Sequence, residues 1–120
     1  MPMDSHLKIK GKIVLVTFPF DDLSSIKMRP AVCLTNTISP YKHVVLAFIT
    51  SQIPDEELES DVVIKDTEND FAMTGLRVSS TIRLHRLITV TTTIIRRQLG
   101  ELTPQIQTEL DHRLRILFDL

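Results

Sequence analysis

Up to about residue 100 the apolar positions of this chain fall in short runs broken by polar turns, and beyond it their spacing becomes helical. Residues 12–18 (KIVLVTF), entered through Gly11 and ended by Pro19, are rich in β-branched and aromatic residues and too short for a buried helix, which predicts a strand. Residues 19–29 (PFDDLSSIKMR) mix turn formers with charge and read as a loop. A second strand is expected over 31–35 (AVCLT), directly behind Pro30, and a turn over 36–42 around Pro40. Residues 44–50 (VVLAFIT) are a continuous apolar run of the kind buried on both faces, so this strand should be central. The acidic stretch 54–59 suits an exposed loop or a short helix, and 61–65 (DVVIK) a further strand. Across 78–95, eleven of eighteen positions are Val, Ile or Thr, so at least one long or bent strand is expected there. Branching at Cβ restricts rotamers against a helical turn.

The end of the chain has a different period. Thr103 and Pro104 make an N-cap and first-turn pair, and Ile106, Leu110, Leu114 and Leu117 then recur at helical spacing, which predicts an amphipathic helix over 104–118. Full burial of these side chains is worth roughly 1.5–3 kcal/mol each, enough to anchor the helix on a sheet. The elements add up to a mainly β protein with one closing helix: five to seven short strands in a small curled sheet or barrel. A single domain over residues 1–120 is expected, with residues 1–10 as an N-terminal extension and no repeat or linker.

Composition narrows the class. With 42% apolar residues and only three glycines and six prolines, the chain is neither collagen-like nor disordered. Its longest apolar run, 44–49, falls far short of the roughly 18 residues of a membrane span, and no export signal is evident near the N-terminus. Cys33 is the only cysteine, so no intrachain disulfide can form, and a reducing cytoplasm is the expected compartment. Net charge is −1, but the charges are segregated. Residues 55–70 hold eight acids against Lys65, whereas 71–100 hold Arg77, Arg83, Arg86, Arg96 and Arg97 and no acid. Every cation after residue 70 is arginine, whose planar fork suits phosphate, so a phosphate-bearing partner becomes plausible beside the plainer reading of a solvated basic surface.

Several chemistries can be set aside. Gly11, Gly75 and Gly100 are isolated from one another, so neither a phosphate loop nor a dinucleotide fingerprint can be written. The four histidines are scattered, and one cysteine supplies no structural zinc site, so no metal and no cofactor is expected. No Gly-x-Ser-x-Gly elbow is present. The positive signal lies on candidate strands. In residues 81–85 (TIRLH), alternation turns Ile82 and Leu84 to the core and brings Arg83 and His85 out together on the other face. An arginine beside an imidazole suits phosphodiester cleavage by an internal 2′-hydroxyl: the imidazole moves a proton near neutral pH, and the guanidinium holds the phosphate's developing charge. A second strand ends in Thr50, Ser51 and Gln52, which can orient a substrate or simply cap a turn. Arg29, directed by Pro30, can aim a bidentate group across the sheet or pair with Asp21 or Asp22.

In order along the chain, these pieces resemble the MazF/PemK family of toxin proteins. The matching stretches are 11–16 (GKIVLV) with Phe18-Pro19-Phe20, Arg29-Pro30-Ala31-Val32, and Ile49-Thr50-Ser51-Gln52. They continue with 61–64 (DVVI), Gly75-Leu76, 80–84 (STIRL), 86–90 (RLITV), 99–102 (LGEL) and the closing helix, covering residues 11–120. The resemblance implies an SH3-like small β-barrel with a C-terminal amphipathic helix, working as a homodimer. It also implies a metal-independent endoribonuclease of single-stranded RNA, commonly mRNA, held inactive by a cognate acidic antitoxin. Such enzymes leave a 2′,3′-cyclic phosphate and a 5′-hydroxyl. Together with its antitoxin such a toxin can also bind operator DNA.

Two branches of the family weight the site differently. The resemblance implies that the MazF-like branch relies on the arginine of the Arg-Pro pair and the threonine or serine of the Thr-Ser pair, here Arg29 and Thr50, with Ser51 beside them. The PemK-like branch uses an Arg-x-Asp element, whose position here is Arg83-Leu84-His85, with His85 standing where that branch has aspartate. The base is thereby left open between His85 and the Thr50 region. Phe20, Lys27, Ser51, Gln52, Arg77, Ser80 and Arg86 are the expected substrate contacts, with Phe20 as a stacking residue for an unpaired base. A CcdB-like module that binds a protein or nucleic acid without catalysis is the alternative on the same fold.

Overall fold

A computed structural model describes residues 8–18 and 27–120. Six strands, β1 (Lys12–Phe18), β2 (Lys27–Cys33), β3 (His43–Thr50), β4 (Asp61–Ile64), β5 (Ser80–Thr91) and β6 (Ile95–Glu101), precede one helix, α1 (Pro104–Phe118). They form a single sheet in the order β4-β5-β3-β2-β1-β6, with every neighbouring pair antiparallel. The apolar run that predicts a central strand is β3, between β5 and β2. Residues 54–59 carry no helix, and the loop expected over 19–29 lies mostly outside the described residues. β2 starts four residues before the expected 31–35 strand, because β1 pairs with it from Phe18 opposite Lys27 onward. Pro30 falls in the half of β2 whose recorded partner is β1 alone, a setting in which a strand tolerates proline.

Alternation along the strands feeds two cores. One face sends Ile13, Val32, Ala47, Ile49, Ile82 and Leu84 into a cluster with Ile106 and Leu110 of α1. The other sends Val14, Val16, Ala31, Cys33, Val44 and Leu46 into a second cluster, extended by Phe48. Thr103 caps α1 as its composition predicts, its hydroxyl accepting from Ile106 N at 3.2 Å. The helical stripe is only half enclosed: Ile106 and Leu110 are buried, whereas Leu114 and Leu117 are partly exposed where the helix leaves the β4–β5 end of the sheet.

The long β5 is bent, as the 78–95 stretch predicts. Ile82 opposes Ile49 and Leu87 opposes Ala47, so residues 83–86 of β5 are set against the single residue Phe48 of β3. A bulge of this kind swings a strand and re-aims its side chains. The segment between β4 and β5 forms a 3-10 turn, Phe71–Thr74, that crosses to β6 at the opposite edge of the sheet. Two glycines distant in sequence permit the approach. A Cβ on Gly75 would stand 2.1 Å from the Leu99 carbonyl oxygen, and one on Gly100 would stand 2.2 Å from that of Met73. Gly75 also adopts φ 71°, which L side chains avoid. The turn after β4 is thus packed on β6 without a ladder, giving a curled, barrel-like sheet. Among the described residues no helix is long and apolar enough to cross a membrane.

Candidate functional site

The β2–β3 register pairs Ala31 with Phe48 and Val32 with Ala47. Arg29 precedes by two residues the first β2 residue paired with β3, and β5 sets Thr81 opposite Thr50 at the end of β3. By alternation Arg29, Thr50 and Thr81 lie on one face of the sheet. That face is the one whose far end builds the second core. The apolar positions Ala31, Cys33, Val44 and Leu46 give way past Phe48 to Arg29, Thr50 and Arg83, and the core opens there into a cleft of about 940 Å³.

Eight of the expected site residues line this cleft: Arg29, Thr50, Ser51, Gln52, Arg77, Ser80, Arg83 and Arg86. They come from β2, from the end of β3 and its following loop, from the loop before β5, and from the bulge of β5. The bulge explains how Arg83 and Arg86 face one cleft although they are three residues apart, which simple alternation does not allow. Three expected residues are not assembled there. His85 is exposed on the bulge and Lys27 is exposed at the start of β2, and neither lines the cleft; Phe20 lies outside the described residues. Arg96 and Arg97 belong to β6 at the other edge of the sheet, where Arg96 Nε donates to Thr17 Oγ1.

A family model described as the PemK-like, MazF-like toxin of type II toxin–antitoxin systems matches residues 9–118. The chain belongs to this family. A search of curated proteins gives no match. Among solved structures, the Mycobacterium tuberculosis toxin MazF-mt6 is similar with TM-score 0.70 at 22% identity, over 91% of this chain and 97% of that one. MazE-MazF (Form-II) from Deinococcus radiodurans gives TM-score 0.73 at 15% identity, over 95% and 97%. An endoribonuclease in complex with its cognate antitoxin, from a mycobacterial species, gives 0.71 at 14%, over 93% and 95%. At these identities the likeness is one of fold, and it agrees with the expected barrel-like sheet and closing helix.

In this PemK-like toxin the cleft combines charge with apolar surface. Among the described residues, four arginines line it against one carboxylate, Asp55. Met28, Ile53 and Val78 add large exposed apolar side chains to its walls. Thr50 also fulfils the capping role open to it, its Oγ1 accepting from Gln52 N at 3.1 Å, which leaves the hydroxyl proton to donate. Ser80 is buried and donates to the Val78 carbonyl at 2.9 Å, so it shapes the wall more than it offers a free hydroxyl. Asp55 escaped the sequence reading because it sits in an acidic run that looks uniformly solvated; only the loop after β3 turns it into the cleft. Among the described residues no three His, Cys, Asp or Glu side chains converge as a metal site.

Proposed function

We propose that this PemK-like toxin is an endoribonuclease that cuts single-stranded RNA. The observation that carries the reading is the convergence of Arg29, Thr50 and Arg83, from three strands, on one arginine-rich cleft. In the reaction the substrate's 2′-oxygen attacks the adjacent phosphorus and loses its proton to a base. The bond to the 5′-oxygen breaks, and that oxygen leaves with a proton as a 5′-hydroxyl, while the other fragment keeps a 2′,3′-cyclic phosphate. Charge that builds on the phosphorane oxygens is met by Arg29 and Arg83, and Thr50 supplies a hydrogen bond. Arg77 and Arg86 hold neighbouring phosphates, while Met28, Ile53 and Val78 offer apolar surface to unstacked bases. The proton passes to Asp55, the one carboxylate lining the cleft among the described residues, or to His85 on the adjoining bulge.

The same charge pattern suits an acidic antitoxin segment, whose carboxylates would take the places of phosphates. A cognate antitoxin accompanies the similar mycobacterial endoribonuclease. A homodimer and cytoplasmic residence complete the proposal. The test is incubation of the pure protein with a defined single-stranded RNA in the presence of a metal chelator. Fragments ending in cyclic phosphate and 5′-hydroxyl are expected. Intact RNA at high protein excess would instead favour a binding module without catalysis.

A further inference from the structure

β4 and β5 set Asp61 directly opposite Arg83, and the pair is built unlike a surface salt bridge. The Asp61 side chain has 0% exposure, that of Arg83 keeps 24%, and Arg83 Nε stands 3.0 Å from Asp61 Oδ1. The second carboxylate oxygen, Oδ2, accepts from Leu58 N at 2.9 Å. The Nε–H is not aimed along the line to Oδ1, so this contact is an ion pair rather than a linear hydrogen bond. An enclosed carboxylate is strongly unfavourable without a cation, so the two groups hold each other. Asp61 is in turn tied to the backbone of the loop before β4. With Nε enclosed beside the Asp61 carboxylate, the two amino groups at the outer end of the fork are what Arg83 can offer an anion in the cleft.

We infer that Asp61 is a positioning residue for Arg83, holding the guanidinium by Nε so that its outer nitrogens meet the scissile phosphate already oriented. The inference deepens the nuclease reading and rests on it. Asp61 does not line the cleft and acts only through its partner. A long side chain fixed beforehand loses less freedom when the transition state forms, and that saving appears in kcat rather than in substrate binding.

The test measures kcat, KM and the urea unfolding midpoint on one single-stranded RNA oligonucleotide for the wild type, Asp61→Asn, Arg83→Ala, Arg83→Lys and the Asp61→Asn/Arg83→Ala double variant. Asp61→Asn, which keeps the shape and the bond from Leu58, is expected to lower kcat about 10-fold to 100-fold while KM changes far less. In the Arg83→Ala background it should lower kcat no further, since both changes act through one group. Arg83→Lys keeps the buried carboxylate paired and the fold intact. It is expected to be as slow as Arg83→Ala, because a compact ammonium drawn onto Asp61 lacks the extended fork that reaches from the carboxylate to the phosphate. If Asp61→Asn does not fold, Arg83→Lys alone decides. The positioning role is overturned, with the nuclease reading intact, by any of three results: an Asp61→Asn loss that only tracks its folded fraction, additive losses in the double variant, or wild-type cutting by Arg83→Lys. Wild-type protein that leaves RNA whole overturns both.

Discussion

Arg29 and Arg83 are 54 positions apart in sequence, yet both end in the same cleft, and in the proposed reaction each is one charge offered to the phosphate. Removing one such charge contact costs about 10²-fold or more in rate. Arg29→Ala and Arg83→Ala are therefore each expected to slow RNA cleavage by about that factor, measured as single-turnover rates on a labelled oligonucleotide. Cys33 is the opposite kind of residue. It is enclosed in the second core, and burial pushes its thiol from 9.0 up to about 12. The native protein should resist iodoacetamide at pH 8 and react fully in denaturant, read as one added label by mass spectrometry. Because folding favours the neutral thiol, its contribution to stability is whole below pH 9.0 and is lost as the pH rises towards about 12.

Elements were legible where one signal dominated. α1 announced itself through Thr103, Pro104 and a helical stripe, and its anchoring residue is Leu110, 1% exposed. Leu110→Ala is expected to destabilise the fold by about 2–5 kcal/mol, visible as a lower urea midpoint with an unchanged slope. β1 and β3 were equally plain, as short apolar runs. β6 was not set apart from the long β-branched stretch, because Arg96, Arg97 and Gln98 interrupt any apolar alternation on a strand at the sheet's edge. The early start of β2 had no local signature either: residues 27–30 are strand only because β1 offers them a partner. The 3-10 turn at Phe71–Thr74 exists through its contact with β6, which a window of neighbouring residues does not contain.

For the molecule as a whole, the relevant charge is not the net −1 but the four arginines gathered in one cleft. If each neutralises one phosphate, the logarithm of the RNA association constant should fall against the logarithm of salt concentration with a slope of about −3, at roughly 0.7 per contact on a single strand. Fluorescence anisotropy of a labelled RNA with a cleavage-deficient Arg83→Ala protein, which should give a slope smaller by roughly 0.7, measures it. The chain's own order of residues determined the strand-rich class, the capped helix and the motif set that marks the PemK-like family, because each depends on neighbours within a few positions. Tertiary structure decided the rest. The bulge turned Arg83 and Arg86 into one cleft and left His85 outside its lining, the pairing of the strands put Arg29 and Thr50 on the face that opens into it, and two remote glycines let the Phe71–Thr74 turn close in on β6. These outcomes depend on which strands pair and in what register, a free-energy balance summed over the whole sheet, so no local pattern encodes them.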